Sequence, residues 1–482
     1  MWLRELRVKN LKRLRDFTLE LRGADGEPRK WTVLIGPNGT GKTSLLQAAA
    51  LAAAGNFRAD DLVKDIRASL PDERLRQDIP FRAGMKVGSP LRRFKYAEVD
   101  ISADFVFGPS GRSLPEVHPL RDGRELGVDH VLRSRIRVSP DRSVAGNADY
   151  VDASAFPLGT EDAEDPTMRR ERSGDRDSDP LVAAREDDLP LWFVAGYGVQ
   201  RDLPEDALTV TRPERASVDR LRPLFGPRQL IGPNFQALFE PEVARKYAQL
   251  LRDVLMYTKQ IVPGIEEIEL RGRGGVSKPE DLVHGHRFLQ RVKGQDLKLP
   301  ARWLSHGYQS SLAWVADLVG QIVLEGGPET PREGIEGLVL IDEIDLYLHP
   351  RWQVGLIQAL RETLPSMQFI ATTHSPILLS AFHREEVVML DFDDEGNVVQ
   401  VDTPRDPRLL TGSELYELFF GIDKLYPAEL GEQLERYVRI ATDPYRTDVE
   451  DETARRLLEG LRREDIDPGV PMALRRRGDQ VG

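Results

Sequence analysis

The chain has no cysteine. That excludes disulfides, cysteine-ligated zinc and thiol nucleophiles, and it fits a cytosolic protein. No apolar run approaches the ~18–20 residues that cross a bilayer. The opening MWLRELRVKNLKRLRDF is too charged for a secretory signal. Positive charge is in deficit, with 67 Lys and Arg against 79 Asp and Glu and a net charge of −12. Any nucleic-acid contact therefore has to come through a local patch or a partner. Histidine is scarce and scattered, at eight residues, and forms no His-Asn-His cluster. What remains is ample for folding: 482 residues, 40% of them hydrophobic, are enough for two or three domains with a sizeable core.

One stretch organises the rest. In GLVLIDEIDLYLHP, Gly337 to Pro350, the apolar run Leu338 to Ile341 reads as a strand buried on both faces of a parallel sheet. It ends in Asp342 and Glu343, two carboxylates that are costly to bury without a cation, a donor or water. A Mg²⁺ ion and an attacking water would use both; acids that only cap a strand are the alternative.

The segment WTVLIGPNGTGKTSLLQAAALAAAG supplies a reason to choose. Trp31 to Ile35 reads as a buried strand, and Gly36-Pro37-Asn38-Gly39-Thr40-Gly41-Lys42-Thr43 matches G-x-x-x-x-G-K-[ST] without a gap. Ser44 and an Ala/Leu-rich helix follow, ending near Gly55. Strand, glycine loop and helix are the context that this phosphate-binding motif requires. The glycines let backbone N–H groups turn around phosphate oxygens, and the helix N-terminus adds partial positive charge. Lys42 would reach the phosphates and the Thr43 hydroxyl would ligate Mg²⁺.

Elsewhere the signals are local. Residues 3–9 and 17–21 read as strands around a basic turn, Lys9, Lys12, Arg13 and Arg15, expected as solvated surface with DNA contact as the alternative. Residues 56–189 form an insertion, with strands expected over 97–107 and 131–138. Its charged stretch 161–188 cannot bury enough surface to order itself, unless it docks on a partner. Leu191 to Ala195 reads as a strand that leads to Gln200 and Arg201; Gln200 is either a ligand of Mg²⁺ or water, or a polar loop residue. Residues 236–261 hold an amphipathic helix whose stripe Val243, Tyr247, Leu250, Leu251, Val254, Leu255 and Ile261 is packing surface. Strands are expected over 265–270 and 287–292. In LSHGYQSSLAWVADLVGQI, Ser305 and Gly307 either cap a helix or aim a hydroxyl and a helix N-terminus at an anion. After a helix that follows Pro350, Phe369 to Thr372 is a further buried strand ending in Thr373-His374-Ser375-Pro376, where His374 can reach a terminal phosphate. The acidic Asp391 to Asn397 segment reads as a hairpin, not a metal nuclease site. Residues 401–482 read as a helical docking region with a basic Arg475–Arg477 tail.

The ordered set GPNGTGKT, Gln200, LSHGYQ, LVLIDE with IDLYLHP, and TTHSP resembles the ATP-binding-cassette class of P-loop ATPases. It is most similar to the soluble RecF-like and SMC-like group, and within it to the ATPases of bacterial antiphage systems, in particular the Septu type also found beside retrons. The resemblance covers residues 1–55 and 190–400 and implies an α/β P-loop fold of mixed and parallel sheet flanked by helices. It implies ATP and Mg²⁺ as cofactors, with Gly36, Asn38, Gly39, Gly41, Lys42, Thr43 and Ser44 around the phosphates. Thr43 and Asp342 would hold the metal, Glu343 would be the general base, and His374 would contact the γ-phosphate. Ser305 and Gly307 would act on nucleotide held by a second protomer, with Asp345 at the seam. His306 and Tyr308 depart from the transporter form of the signature.

The same resemblance implies a cytoplasmic, non-membrane ATPase, slow in some relatives, that forms a homodimer or higher oligomer. It would control a separate HNH-type nuclease encoded nearby, and nucleic acid would be met through that complex. The competing readings are a DNA-repair ATPase acting directly on DNA and a nucleotide-gated scaffold with little turnover.

Overall fold

The computed structural model describes residues 1–23, 25–68, 99–106, 130–138, 144–154, 157–158, 181, 193–201, 216–227, 230, 240–256, 265–269, 287–292, 295–300, 303, 306–327, 329, 331, 334, 336–422, 428–464, 466 and 468–473. The strands are β1 (Trp2–Leu11), β2 (Leu14–Glu20), β3 (Trp31–Ile35), β4 (Val99–Val106), β5 (His130–Val138), β6 (Val144–Asp152), β7 (Phe193–Tyr197), β8 (Ile265–Glu269), β9 (Arg287–Val292), β10 (Gln295–Pro300), β11 (Gly337–Ile341), β12 (Met367–Thr372), β13 (Val387–Phe392) and β14 (Val398–Val401). The main helices are α1 (Lys42–Ala54), α2 (Asn56–Ala68), α3 (Pro241–Met256), α4 (His306–Gly326), α5 (Pro350–Thr363), α6 (Gly412–Phe420), α7 (Ala428–Thr442) and α8 (Asp448–Arg463). They fall into two units, Met1–Leu409 and Leu410–Gly482.

The first unit is built on the apolar runs. Strands β3, β7, β11 and β12 are buried at every position, as expected of strands covered on both faces. They lie in one sheet of order β14-β13-β3-β12-β11-β7, parallel throughout except for the β13–β14 hairpin at its edge. This order brings the carboxyl ends of β3, β12, β11 and β7 side by side, where open α/β sheets place their ligand sites. A second, antiparallel sheet runs β2-β1-β4-β5-β6. Three of its strands come from the 56–189 segment, so that segment completes a sheet begun at the N-terminus. The amide of Gln368, wholly buried, joins the two sheets: it accepts from the N–H of Leu3 at 2.6 Å and donates to the carbonyl of Leu3 at 2.8 Å.

Helix α1 lies between these layers. Eleven of its 13 residues are buried. Leu45, Leu46 and the alanines share one apolar core with Leu6, Val8, Ile101 and Ile136 of the antiparallel sheet and with Leu34, Leu338, Leu340 and Ile370 of the parallel one. A helix apolar on all sides is the kind that ends up enclosed. Alanine gives it high helix propensity and lets both sheets approach closely. Trp31 stacks on Phe369 of the neighbouring strand, with centroids 4.3 Å apart and planes 12° apart; the Arg361 guanidinium lies 5.3 Å from the Trp31 centroid.

The stripe of α3 is buried as its periodicity predicts, from Val243 to Leu255, and it packs against α4 and α5. A separate three-stranded antiparallel sheet, β10-β9-β8, extends the two strands read from sequence by one. Strand β6 was likewise not apparent in the sequence. The Asp391–Asn397 hairpin is present, with Asp393 accepting from the N–H groups of Glu395 at 3.0 Å and Asn397 at 2.7 Å. Ser305, Ile261, the Arg475–Arg477 triplet and all but Leu181 of the 161–188 stretch lie outside the described residues. Among the described residues no helix is long and apolar enough to cross a membrane.

The second unit is helical. Helices α7 and α8 pack through Tyr437, Ile440, Ala441, Ala454 and Leu461, and Arg446 pairs with Asp451 at 2.7 Å in a buried contact. Helix α8 opens on a reciprocal cap: Thr447 Oγ1 accepts from the Glu450 N–H at 3.3 Å, and Glu450 accepts from the Thr447 N–H at 2.7 Å. Thr447→Ala removes one half of that cap and is expected to destabilise this unit by about 1 kcal/mol. Faster hydrogen exchange across the first turn of α8 in the full chain would show it; unchanged exchange would refute it.

Candidate functional site: a glycine loop facing an acidic strand end

The loop after β3 is shaped by its glycines. Gly36 adopts φ 145°, and a Cβ there would lie 2.2 Å from the Leu390 carbonyl oxygen. Gly39 and Gly41 adopt φ 86° and 81°, the left-handed region that favours glycine. Gly41 is the N-cap of α1, so Lys42, Thr43 and Ser44 form the first helical turn, whose N–H groups have no intrahelical partner. Lys42 is buried, and its Nζ donates to the carbonyls of Gly36 at 2.7 Å and Pro37 at 3.1 Å. Burial pushes its ammonium pKa down, while the charges of Asp342 and Glu343 hold it up. Asn38 is exposed.

The acids at the end of β11 meet this loop. Asp342, 6% exposed, accepts two hydroxyl hydrogen bonds, from Thr43 Oγ1 on Oδ2 at 2.8 Å and from Thr372 Oγ1 on Oδ1 at 2.7 Å. The strand-capping alternative is therefore too small a description: the carboxylate bridges the first turn of α1 and the end of β12. Thr43 Oγ1 and Asp342 Oδ2 suit Mg²⁺, since two neighbouring ligands of an octahedral ion with bonds of 2.0–2.1 Å stand about 2.9 Å apart. With only two protein oxygens, the rest of such a shell would be phosphate and water. A bound Mg²⁺ would supply charge neutralisation to the phosphates.

Glu343 follows at φ 46°, a left-handed non-glycine residue. Such backbone costs roughly 1–2 kcal/mol and persists only where the surroundings enforce it. Its N–H donates to Thr372 Oγ1 at 2.7 Å. Its side chain is half-buried, within electrostatic range of Lys42 and Arg201. Asp345, also half-buried, accepts a short hydrogen bond from Thr373 Oγ1. This contact within one chain ties the 342–348 turn to the segment bearing His374. Ser375 of that segment donates to Gln353 Oε1 at 2.5 Å.

His374 and Gln200 are both exposed, immediately beyond the carboxyl ends of β12 and β7. The sheet order places them on the same edge as the loop and the acids. Gly307 lies in the first turn of α4. Thr372, the first residue of the TTHSP motif, bridges Asp342 and Glu343. Two further participants carried no recognisable motif. Arg13, expected as solvated surface, is half-buried; it lies 4.8 Å over Phe392, and its Nη1 stands 3.8 Å from where a Cβ on Gly39 would be. Arg201, 2% exposed, donates to the carbonyls of Gly198, Asp342 and Glu343. A charged residue four positions beyond the end of a buried strand was the only trace of it in the sequence.

The family described as "AAA domain, putative AbiEii toxin, Type IV TA system" matches residues 31–380, more than half of the chain. The chain is 23% identical to the Septu protein PtuA of Bacillus mycoides over 465 residues, which is 95% of this chain and 50% of that protein. Over 89 residues it is 43% identical to the Retron Vc95 probable ATPase of Vibrio cholerae, covering 18% of this chain and 17% of that one. The chain thus spans about half the length, or less, of these curated relatives. Among solved structures it is similar to an SmcHead bound to the C-winged helix domain of ScpA, with TM-score 0.45 and 15% identity over 84% of this chain and 98% of that one. The unbroken glycine loop, the acidic strand end facing it and the match across residues 31–380 agree: the chain has the α/β fold of a P-loop NTPase and belongs to the AAA domain family.

Proposed function

We propose that this chain binds Mg²⁺–ATP and hydrolyses it to ADP and phosphate, as the nucleotide-dependent subunit of a Septu- or retron-type antiphage system. The observation that carries the reading is the contact between Thr43 and Asp342 at 2.8 Å, with Glu343 next in the chain. It joins a phosphate loop, a two-oxygen metal site and a candidate base at one sheet edge.

In this reading Lys42 leaves the Gly36 and Pro37 carbonyls for the phosphates, and the N–H groups of residues 39–44 cradle them. Glu343 orients and deprotonates the attacking water. His374 contacts the γ-phosphate, and Gln200 faces the water or the metal. Ser305 and Gly307 complete the site on nucleotide held by a second copy, with Asp345 at the seam. The similarity to the Septu protein PtuA supports a place in a Septu-type system, in which the nucleotide state would govern a separate HNH-type nuclease.

Phosphate release by the purified chain tests the enzymatic part. Lys42→Ala is expected to weaken ATP binding by about tenfold or more, because a charge-assisted contact to phosphate is lost, and to abolish Mg²⁺-dependent release. A wild-type chain that neither binds ATP nor releases phosphate would refute the reading. Co-purification with a nuclease encoded alongside tests the regulatory part; a chain that always purifies alone, with no such neighbour, would refute that part.

A further inference from the structure

We propose that Arg201 is a positioning residue for the reaction: it clamps the two peptide units on either side of Glu343 and so sets where the Glu343 carboxylate stands. The inference rests on the ATPase reading above and adds a residue to it.

Glu343 sits between two peptide groups. The first has the Asp342 carbonyl at one end and the Glu343 N–H at the other. The carbonyl accepts from Arg201 Nη2, and the N–H donates to Thr372 Oγ1 at 2.7 Å. The second peptide group has the Glu343 carbonyl and the Ile344 N–H. The carbonyl accepts from the same Nη2 at 3.0 Å, and the N–H donates to the Thr372 carbonyl at 3.0 Å. Both peptide planes are therefore held at both ends, by Arg201 on one side and Thr372 on the other. Fixing both planes fixes the torsions between them, which explains how a glutamate keeps φ 46°.

Arg201 is itself held. Its Nε donates to the Gly198 carbonyl at 2.6 Å, and its guanidinium lies 5.9 Å from the centroid of Trp314 on α4. The Tyr197 ring packs on Trp314 at 5.8 Å, and its hydroxyl donates to Asp317 Oδ2 at 2.9 Å. The Tyr197 carbonyl accepts from the Asp342 N–H at 2.8 Å. Burial lowers the guanidinium pKa, against the pull of Asp342, Asp345 and Glu343. A rigid fork reaches three carbonyls at once; an ammonium on a flexible stem does not reproduce that geometry.

The test uses the full chain and compares wild type, Arg201→Lys, Glu343→Gln and the double variant. Arg201→Lys is expected to lower kcat by about tenfold or more while the Kd for ATP stays within about threefold, the pattern of an interaction that matters in the transition state. In the Glu343→Gln background the same change is expected to cost little more, because it acts through Glu343. Equal losses in both backgrounds, or a loss of ATP binding and thermal stability in step with kcat, would assign Arg201 a structural role only and overturn the proposal. Phosphate release by wild type that slows by about 10²-fold or more in Glu343→Gln secures the ATPase reading whatever Arg201 does. Hydrogen exchange needs no turnover: the Glu343 and Ile344 amides are expected to exchange about tenfold faster or more in Arg201→Lys, and unchanged exchange overturns the clamp.

Discussion

Glu343→Gln binds Mg²⁺–ATP as tightly as the wild-type chain and releases phosphate on the order of 10²–10⁴ times more slowly. The substitution is nearly isosteric, so the left-handed backbone at φ 46° and its contacts with Thr372 and Arg201 are kept. What is lost is the ability to accept a proton from water. Asp342 takes no part in that loss: both of its oxygens are committed to hydroxyl groups, Thr43 at 2.8 Å and Thr372 at 2.7 Å. Equilibrium binding of a fluorescent ATP analogue, followed by single-turnover phosphate release, separates the two quantities. If turnover persists in Glu343→Gln, another group is the base. If the variant protects cells against phage as well as wild type while Lys42→Ala does not, nucleotide binding alone carries function, and the scaffold reading prevails.

Gly36→Ala destabilises the first unit by at least about 3 kcal/mol, combining strained backbone with a steric conflict in a packed site. Two features make this large. The φ of 145° lies where side-chain-bearing residues rarely go, and the new Cβ would stand 2.2 Å from a backbone oxygen, that of Leu390. Backbone cannot swing away as a side-chain tip can, and Leu390 belongs to β13, which pairs directly with β3. Relief would require separating two strands at the mouth of the site, so nucleotide binding falls with stability. Gly26→Ala is the comparison: φ is positive there too, at 80°, but nothing lies within 4 Å, so only the backbone term of roughly 1–2 kcal/mol remains. Thermal denaturation of the two variants measures the difference, and equal melting temperatures would refute the steric argument.

The parts of this site that could be read from sequence are those whose chemistry is contiguous. The glycine loop, the acid pair and the Thr373–Pro376 segment each carry their meaning within a few residues, and buried parallel strands announce themselves as apolar runs. Arg201 acts on partners 141 and 142 residues away along the chain, and nothing local marks an arginine that will meet carbonyls; the TTHSP motif contains Thr372 but does not show its bridge to Asp342 and Glu343. Strand β6 was missed for a different reason. Its VAGNADYVD holds Gly, Asn, Asp and Ala, all poor strand formers. It is a strand because nine residue pairs with β5 align it, a property of the tertiary structure. The basic turn shows the converse limit: charge alone suggested solvent, but the hairpin of β1 and β2 carries Arg13 over Phe392.

The enclosure of α1 determines where the molecule can yield. A helix gripped by two sheets, with 11 of 13 residues buried and alanine side chains that have no alternative rotamers, is a stiff mounting for the phosphate loop. It can neither tilt nor slide without displacing both layers. On the other side of the loop the clamp of Arg201 and Thr372 holds the chain as far as Ile344, so the first residue free to yield lies beyond it, toward Tyr347. Tyr347 is 60% exposed and left-handed at φ 64°, and it leads directly into α5. The loop after β3 is thus a fixed mounting, and Tyr347 marks where the chain leaves the clamped acids for α5.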